Sequence, residues 1–510
     1  MTGKVYLIGA GPGDPDLITV KGVECIRNAD VVVYDYLAAD QLLAYSRKDT
    51  EIIYVGKKGG DHTLPQEGIN ALIADKAAQG NVVARLKGGD PFIFGRGGEE
   101  AEYLVERGIP FEIVPGVTSA IAAPAYAGIP LTHRDFTSSV CLVTGHEKPG
   151  KAISGINWQA LADLGGTLVF LMGVKNLPHI TEQLMSHGLA GDTPVALVRW
   201  GSTPHQQTVT GTLADIVRVV DQAGLKAPCI IVVGAVTRLR QTIAWFENRP
   251  LFGKKIVVTR ARSQASGFVK TLTEYGAACL ECPTIMIEAP DDFSLLDECL
   301  ANLSAYDWLV FTSVNGVDFF FRRLFDKGLD VRALSHIKTA VIGPATRDRL
   351  REFGIRADIM PDSYRAESVV AAFHALDING KKVLLPRAAD ARYVLPRELT
   401  AMGARVDEIP VYFTRQDTSA AATLLAALES CQVDAVTFTS SSTVKNFKAL
   451  LPADQASIDR LLDGVALVSI GPITTETAEQ EGFRVAATAE EYTIEGLTET
   501  LIRYFSEVRS

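Results

Sequence analysis

The sequence predicts an α/β protein built from more than one domain. Short strands rich in β-branched residues alternate with helical stretches along the whole chain, which is typical of parallel α/β folds. A chain of 510 residues is also too long for a single hydrophobic core, and its length indicates about two to four domains. Beyond residue 253, three blocks of sequence occur twice at nearly one spacing, which predicts two similar α/β lobes in the second half.

The predicted strands are spread over both halves of the chain. In chain order they cover residues 31–34, 82–86, 168–171, 230–233, 256–259, 383–385 and 465–470. Each is followed by glycine, proline or polar residues, as expected where a buried strand ends in a turn. A polar segment with proline and glycine, NRPLFG at 248–253, precedes the strand KKIVVTRA and predicts a domain boundary there.

The repeated blocks lie between residues 254 and 485. KKIVVTRA at 254–261 returns as KKVLLPRA, and LVFTSVNGV at 309–317 returns as VTFTSSSTV, both 127 residues later. AVIGPATRDRLREFGIRA at 340–357 returns 128 residues later as VSIGPITTETAEQEGFRV. Two such lobes ordinarily leave a cleft, so the FTS and IGP turns are expected to face a site. A duplicated scaffold without cleft chemistry is the alternative.

A glycine-rich turn, VYLIGAGPGDPDLITVKG at 5–22, joins the first strand to a helix. With Asp35 at the end of the next strand, it has the outline of a dinucleotide site in an NAD(P)-dependent oxidoreductase. However, Pro12 removes a backbone N–H from the turn, and Asp14 and Asp16 add negative charge where a phosphate would bind. The loop therefore favours an adenosine-containing ligand without phosphate, with the oxidoreductase as the alternative.

Two further segments also contain turns rich in glycine and other small residues. They are ARLKGGDPFIFGRGGEEAEYL at 84–104 and VPGVTSAIAAPAYAGIPLTHR at 114–134. Their small residues permit close backbone approach by a flat ligand, and Thr118 supplies a hydroxyl. Together the three segments resemble the tetrapyrrole methylase family. Within that family they are most similar to the S-adenosylmethionine:uroporphyrinogen-III C-methyltransferases, over about residues 3–245.

This resemblance implies a two-lobed α/β domain at 1–246, with lobes near 1–133 and 137–246. It also implies a homodimer, with S-adenosylmethionine bound between the lobes. The residues that the resemblance places against this cofactor are Pro12, Gly88, Gly89, Asp90, Ile93, Thr118, Ser119, Met172 and Gly201.

The methylation chemistry needs a positioned base, because a pyrrole carbon attacks a sulfonium methyl group more readily as the ring nitrogen loses its proton. By the resemblance, Asp35 is the candidate base and Lys57 the candidate proton donor or charge stabiliser. The alternatives are a turn or cap acid for Asp35 and a carboxylate-binding cation for Lys57. Six further residues are candidates to pair with substrate carboxylates: Arg85, Lys87, Arg96, His133, Arg134 and Arg199.

Residues 254–510 resemble the uroporphyrinogen-III synthases through the repeated blocks and the segment EIPVYFTR at 408–415. The resemblance implies a discontinuous first lobe and a second lobe joined to it by the linker strands ECPTIMIE and DEIPVYFTR. The first lobe is then 254–283 plus 415–505, the second lobe is 288–410, and 247–253 links the two halves of the chain. Repetition alone would have divided the lobes near residue 380.

The reaction implied for this half is closure of the linear tetrapyrrole hydroxymethylbilane, with loss of water and inversion of the last ring. Tyr412 is the candidate donor to the leaving hydroxyl, the alternative being an ordinary strand aromatic. Four turn hydroxyls are candidates to hold substrate carboxylates, although capping of their own turns is as common. They are Ser313, Thr346, Ser440 and Thr474.

The composition of the chain excludes some other classes of function. A net charge of −10, with neither half basic, argues against general nucleic-acid binding. The seven cysteines are scattered and include a single CxxC pair, which predicts no metal site and favours a reducing cytoplasm. The sequence also predicts neither a signal peptide nor a membrane span. The sequence predicts a bifunctional enzyme that makes uroporphyrinogen III and methylates it twice to precorrin-2, for sirohaem or cobalamin synthesis. The alternative is a methyltransferase whose second half only binds tetrapyrrole.

Overall fold

The computed structural model describes residues 3–56, 64–146, 155–260, 262–361, 363, 366–391 and 393–509. The chain divides into two compact units, formed mainly by Met1–Lys255 and by Cys279–Leu501. Within the described residues the strands form four five-stranded sheets accompanied by helices, which confirms the predicted α/β class. The boundaries at 246 and 254 stay predictions. No helix in the described part of the chain is both long and apolar enough to cross a membrane.

The first sheet is entirely parallel, in the order β3-β2-β4-β1-β5 once its strands are numbered along the chain. Its elements are β1 (Lys4–Gly9), α1 (Val20–Arg27), β2 (Val31–Tyr34), β3 (Glu51–Tyr54), α2 (Gln66–Ala78), β4 (Val82–Lys87), α3 (Gly97–Glu106), β5 (Phe111–Val114) and α4 (Ser119–Tyr126). Val31 and Val33 of β2 enter one core, and Val32 enters the core on the opposite face. Burial on both faces explains why this strand is continuously apolar.

The second sheet has both parallel and antiparallel strands. Its elements are β6 (Val140–Thr144), α5 (Trp158–Asp163), β7 (Thr167–Leu171), α6 (Leu177–Ser186), β8 (Pro194–Arg199), β9 (Gln207–Thr212), α7 (Ile216–Gln222), β10 (Cys229–Val233) and α8 (Arg240–Ile243). The order is β6-β7-β10-β8-β9, in which only the β6–β7 pair is parallel among the described pairings. This departs from the expected parallel pattern, because the connection 200–206 is too short for a crossover and makes β8 and β9 a hairpin.

The second half of the chain contains the other two sheets. Its strands are β11 (Lys255–Val258), β12 (Ala278–Glu281), β13 (Ile285–Glu288), β14 (Trp308–Phe311), β15 (Lys338–Val341), β16 (Lys382–Ala388), β17 (Arg405–Gln416), β18 (Ala435–Phe438), β19 (Ala466–Ser469) and β20 (Val485–Thr488). Its helices are α9 (Arg262–Glu274), α10 (Ser294–Ala301), α11 (Val314–Asp326), α12 (Pro344–Glu352), α13 (Ala366–His374), α14 (Val394–Ala401), α15 (Ala421–Glu429), α16 (Ser441–Lys448), α17 (Gln455–Leu461), α18 (Pro472–Gln480) and α19 (Ile494–Arg509). The sheet orders are β12-β11-β18-β19-β20 and β13-β17-β16-β14-β15.

The repeated FTS and IGP motifs form strand-to-helix turns. Ser313 and Ser440 are the N-caps of α11 and α16, and each accepts a hydrogen bond from the backbone N–H three residues later. Pro344 and Pro472 begin α12 and α18, where the missing N–H of proline leaves no donor unsatisfied. Both copies of each motif therefore have a structural role.

Candidate active sites

Three backbone segments meet at the carboxyl edge of the first sheet. Gly11 and Gly89 exchange backbone hydrogen bonds of 3.3 and 2.7 Å. The Asp90 carboxylate accepts from the backbone N–H of Gly116 at 2.9 Å. The segments at 5–22, 84–104 and 114–134 therefore form one loop cluster.

The glycines of this loop cluster are required by close backbone contact. A Cβ atom on Gly116 would lie 2.4 Å from the Gly89 carbonyl oxygen and 2.6 Å from the Gly9 Cα atom. Gly89 itself has a φ of 70°, and its Cβ position would lie 3.6 Å from the Ser119 nitrogen. Thr118 caps α4, with its Oγ1 atom accepting from the Ala120 N–H at 3.3 Å. These contacts leave no room for side chains where the three loops meet one another beside the start of α4.

The turn after β8 also reaches the loop cluster. The Asp14 N–H donates to Ser202 Oγ at 3.1 Å, and the Tyr126 hydroxyl donates to Asp14 Oδ2 at 2.7 Å. A Cβ atom on Gly201 would lie 2.3 Å from the Cβ atom of Ala123 in α4. Two hydrogen bonds thus hold Asp14 beside the glycine turn, where an acidic side chain disfavours a phosphate.

Three residues at the ends of β7 and β8 have a left-handed backbone. The φ angles are 58° at Met172, 48° at Trp200 and 69° at Ser202. Such conformations cost non-glycine residues on the order of 1–3 kcal/mol and cluster at ligand sites. The ring of Trp200 also meets the ring of Tyr36, which follows the candidate base Asp35, edge-on at 5.7 Å.

The remaining predicted cofactor residues lie in the same cluster or at its rim. Gly88 packs against Leu37, since a Cβ atom on Gly88 would lie 2.4 Å from the Leu37 Cβ atom. The Ile93 N–H donates to Asp90 Oδ1 at 3.2 Å, and the Ile93 side chain is exposed. Pro12 is half-buried in the glycine turn. Binding of a cofactor by these residues stays a prediction.

Asp35 follows β2 and combines a turn role with an accessible carboxylate. Its Oδ2 atom accepts from Arg85 Nη2 at 2.9 Å, and its Oδ1 atom accepts from the Leu37 N–H at 3.2 Å. The Asp35 side chain is 26% exposed, whereas that of Arg85 is 3% exposed. A buried guanidinium therefore fixes a carboxylate that remains open on its other side.

A fully buried carboxylate, Glu100, lies behind Arg85. Its Oε1 atom is 2.7 Å from Lys87 Nζ and 3.5 Å from Arg85 Nε, and it also accepts from Gln66 at 3.0 Å. Burial and the neighbouring Arg85 lower the pKa of Lys87. The burial of both cations favours structural roles over the predicted contact with substrate carboxylates: Arg85 holds Asp35, and Lys87 pairs with Glu100.

The other predicted substrate cations of this unit are more open. Arg96 has a φ of 57° and forms a bidentate ion pair with the glutamate three residues later. His133 is half-buried, Arg134 is exposed, and Arg199 at the end of β8 donates to a β9 glutamine. Lys57, the predicted proton donor, lies outside the described residues.

In the second unit, Tyr412 of β17 is buried against α11. Its hydroxyl oxygen is 3.0 Å from Ser313 Oγ, and its ring stacks on Phe319 with centroids 5.8 Å apart. Burial raises the pKa of Tyr412, and this outweighs the opposite effect of the hydrogen bond with Ser313. The phenol therefore keeps its proton at neutral pH and is able to donate it.

The four predicted hydroxyls of this half divide between two sheets. Ser313 and Thr346 belong to helices packed on the sheet of β14 and β15, and Ser313 meets Tyr412. Ser440 and Thr474 belong to α16 and α18, beside the sheet of β18 and β19. Thr346 and Thr474 are buried in the first turns of their helices, which favours a structural role for both.

Comparison with known proteins assigns both halves. Residues 4–217 match the family of Tetrapyrrole (Corrin/Porphyrin) Methylases, and residues 266–499 match Uroporphyrinogen-III synthase HemD. Over 501 residues the chain is 38% identical to the porphyrin biosynthesis protein HemD of Ruminiclostridium josui, covering 98% of both proteins. The chain belongs to the tetrapyrrole methylases and, in its second half, to the uroporphyrinogen-III synthases.

The methylase half has more similar relatives. Over 234 residues it is 56% identical to a uroporphyrinogen-III C-methyltransferase of Priestia megaterium, covering 46% of this chain and 98% of that protein. A crystal structure of Uroporphyrin-III C-methyl transferase from Thermus thermophilus, complexed with S-adenyl homocysteine, is 37% identical, covers 46% of this chain and 100% of that one, and has a TM-score of 0.40. The fusion is a bifunctional enzyme of tetrapyrrole biosynthesis, as the sequence predicted.

Sequence reasoning missed two residues of the methylase site, Glu100 and Ser202. Glu100 shares the buried face of α3 with Ala101 and Leu104. Glu100 stands among the apolar positions of an amphipathic helix, and this placement could have predicted that its carboxylate is buried. Ser202 gave no comparable signal, because the meeting of its turn with Asp14 depends on tertiary structure.

Proposed function

We propose that the synthase half closes hydroxymethylbilane to uroporphyrinogen III and that the methylase half transfers two methyl groups to this product. The second reaction then gives precorrin-2 by way of precorrin-1. The observation that carries the proposal is the accessible Asp35 carboxylate beside the glycine loop cluster of the methylase half. In the synthase half, the buried phenol of Tyr412 retains its proton. The product of one reaction is the substrate of the other.

The loop cluster fits S-adenosylmethionine. Its glycines bring three backbone segments close together without intervening side chains, and the apolar side chains of Ile93 and Met172 are exposed. The residues that would hold the cofactor are Pro12, Gly88, Gly89, Asp90, Ile93, Thr118, Ser119, Met172 and Gly201. When bound, S-adenosylmethionine supplies an electrophilic methyl group.

Asp35 accepts the proton that a pyrrole nitrogen loses as the ring carbon bonds to the methyl group. Each of its carboxylate oxygens already accepts one hydrogen bond, from Leu37 or Arg85, and has a further lone pair for the substrate. The two contacts fix the carboxylate before the substrate arrives, which lowers the entropic cost of proton transfer. Lys57 remains the predicted proton donor.

In the synthase half, Tyr412 donates a proton to the substrate hydroxyl. The electron-rich pyrrole expels this group as water and becomes a cation, to which a pyrrole carbon bonds to close the macrocycle. The proton that is lost as the attacking ring regains its aromaticity restores the Tyr412 phenol. Because burial raises the pKa of Tyr412, its proton is present at neutral pH until the leaving oxygen takes it. Ser313 Oγ, 3.0 Å away, stabilises the charge left on the phenolic oxygen.

Supplying each half with its own substrate tests the two reactions separately. Hydroxymethylbilane alone is expected to give uroporphyrinogen III, and uroporphyrinogen III with S-adenosylmethionine is expected to give a doubly methylated product. If only the type I isomer formed, as it does without catalysis, the second half would be a non-catalytic binding module. Binding of NAD(P) without binding of S-adenosylhomocysteine would instead favour the oxidoreductase.

We further propose that the protein is a homodimer through its methylase half and lies in the cytoplasm. The dimer is supported by the family resemblance, and the location by seven cysteines that are all free thiols. Light scattering is expected to give twice the chain mass of 54.9 kDa, and a monomer at micromolar concentration would contradict the dimer.

A further inference from the structure

The interior of the methylase unit contains a carboxylate that stability alone does not explain. Glu100 of α3 is completely buried, and its Oε2 atom has no hydrogen-bond partner among the described residues. Taking a carboxylate out of water is costly, and well-packed apolar residues often replace a buried ion pair without loss of stability. An acid at such a position therefore points to a role in the function of the unit.

Glu100 contacts two cations on the same face of β4. Arg85 and Lys87 are two residues apart in the strand, so their side chains leave it in the same direction. Burial and repulsion by Arg85 lower the pKa of Lys87, and Glu100 opposes this effect. Glu100 Oε1 lies 2.7 Å from Lys87 Nζ and 3.5 Å from Arg85 Nε, so its negative charge offsets the repulsion between the two cations.

The guanidinium of Arg85 is held on three sides. Its Nη2 atom donates to Asp35 at 2.9 Å, its Nη1 atom donates to the Leu86 carbonyl at 2.7 Å, and its Nε atom faces Glu100. Because a guanidinium is planar, contacts at all its nitrogens fix the position and direction of the bond to Asp35. Without the buried acid, repulsion by Lys87 would displace Arg85 and, with it, the carboxylate of the candidate base.

Glu100 is itself fixed by two helices. It lies in the first turn of α3, which follows the predicted cofactor segment 88–93, and its N–H donates to the Arg96 carbonyl at 3.3 Å. One turn later on the same face of α3, Leu104 is completely buried in the core. The second helix, α2, contributes Gln66, whose amide donates to Glu100 Oε1 at 3.0 Å. Groups on rigid elements are positioned more precisely than groups on loops.

We propose that Glu100 is a positioning residue for methyl transfer, which holds Arg85 in the orientation that presents the Asp35 carboxylate to the substrate. The proposal rests on the role of Asp35 as the base, which is itself proposed above. Because Glu100 is completely buried, it contacts no bound molecule and acts only through its neighbours. A base misplaced by about 1 Å slows a reaction by up to about 100-fold, while the binding of substrate and cofactor is left largely unchanged.

Steady-state methylation of supplied uroporphyrinogen III by the full chain tests the proposal, at a temperature at which circular dichroism shows each variant to be folded. Glu100→Gln is expected to lower kcat by about tenfold to 100-fold. The KM of each substrate and the Kd of S-adenosylhomocysteine should stay near the wild-type values. Glu100→Asp keeps the charge on a shorter side chain, so its kcat should lie between those of Glu100→Gln and the wild type.

Leu104→Ala is the matched control for loss of stability. It removes buried apolar atoms from the same face of α3 and destabilises the unit without removing a charge. Its kcat is expected to equal that of the wild type under the same conditions. An equal fall of kcat in Leu104→Ala and Glu100→Gln would show that Glu100 only stabilises the fold, and would overturn the proposal.

Combination with Asp35→Asn shows whether Glu100 acts through the base. In the Asp35→Asn chain, Glu100→Gln should change the residual kcat by less than about threefold, because the group that Glu100 positions is already lost. The full tenfold to 100-fold loss in that background, or a wild-type kcat for Glu100→Gln alone, would overturn the proposal.

A variant that does not fold leaves the proposal testable. If Glu100→Gln does not fold, Glu100→Asp decides alone, since a lowered kcat at unchanged KM supports the proposal and a wild-type kcat overturns it. A wild-type chain that does not methylate uroporphyrinogen III, or an Asp35→Asn chain with full activity, would refute the proposed function instead.

Discussion

Replacing Glu100 with glutamine is expected to destabilise the methylase unit through Lys87 and Arg85. Glu100 is completely buried, and its carboxylate lies 2.7 Å from Lys87 Nζ and 3.5 Å from Arg85 Nε. At an effective dielectric constant of about 20, a pair of charges 2.7 Å apart attracts by about 6 kcal/mol before desolvation is considered. Removing one partner of a buried pair costs about 3–5 kcal/mol, and the amide oxygen still accepts from Lys87, so we expect about 3 kcal/mol.

The loss of stability should depend on pH in a defined direction. The folded-state pKa of Lys87 is already lowered by burial and by Arg85, while Glu100 opposes this shift. Without Glu100 the pKa of Lys87 in the folded chain falls further. Between this lowered pKa and about 10.4, the ordinary pKa of lysine, the unfolded chain therefore binds more protons than the folded chain. Stability therefore rises with pH in this window, and the deficit of Glu100→Gln relative to the wild type is larger at pH 6 than at pH 9.

Urea unfolding measures this deficit in the full chain. In a Trp308→Phe background the remaining tryptophans are at positions 158, 200 and 245, so fluorescence reports the methylase unit. With an m value of about 2–3 kcal/mol/M, the midpoint should fall by about 1 M urea. Glu102→Gln, on the exposed face of the same helix, is the control and should keep the wild-type midpoint. An unchanged midpoint for Glu100→Gln, or a deficit that does not vary with pH, would refute the reasoning.

Three further changes test the sites. Asp35→Asn should slow methyl transfer by about 10²–10⁴-fold without weakening S-adenosylhomocysteine binding, and full methylation would remove Asp35 as the base. Tyr412→Phe should slow cyclisation over a similar range, about 10²–10⁴-fold, and an unchanged rate would exclude the phenol as donor. Gly116→Ala should weaken S-adenosylhomocysteine binding measured by calorimetry, because the new Cβ atom would lie 2.4 Å from the Gly89 carbonyl. Gly98→Ala, with open space around it, should bind as the wild type does.

The sequence predicted most strands closely because each is a short apolar run that ends in a turn. The antiparallel part of the second sheet was not predicted, since alternation of strands and helices does not reveal that β8 and β9 form a hairpin. The burial of Arg85 and Lys87, both predicted as substrate contacts, was not predicted, because a sequence shows charge but not burial.

The measurement that tests the central claim most directly is incubation of the full chain with hydroxymethylbilane and S-adenosylmethionine. The product is identified by its absorption spectrum and mass. We predict a tetrapyrrole that has lost water and gained two methyl groups, which requires the Tyr412 site and the Asp35 site in turn. Unmethylated uroporphyrinogen III, or only the type I isomer, would contradict the assignment of both activities to this chain.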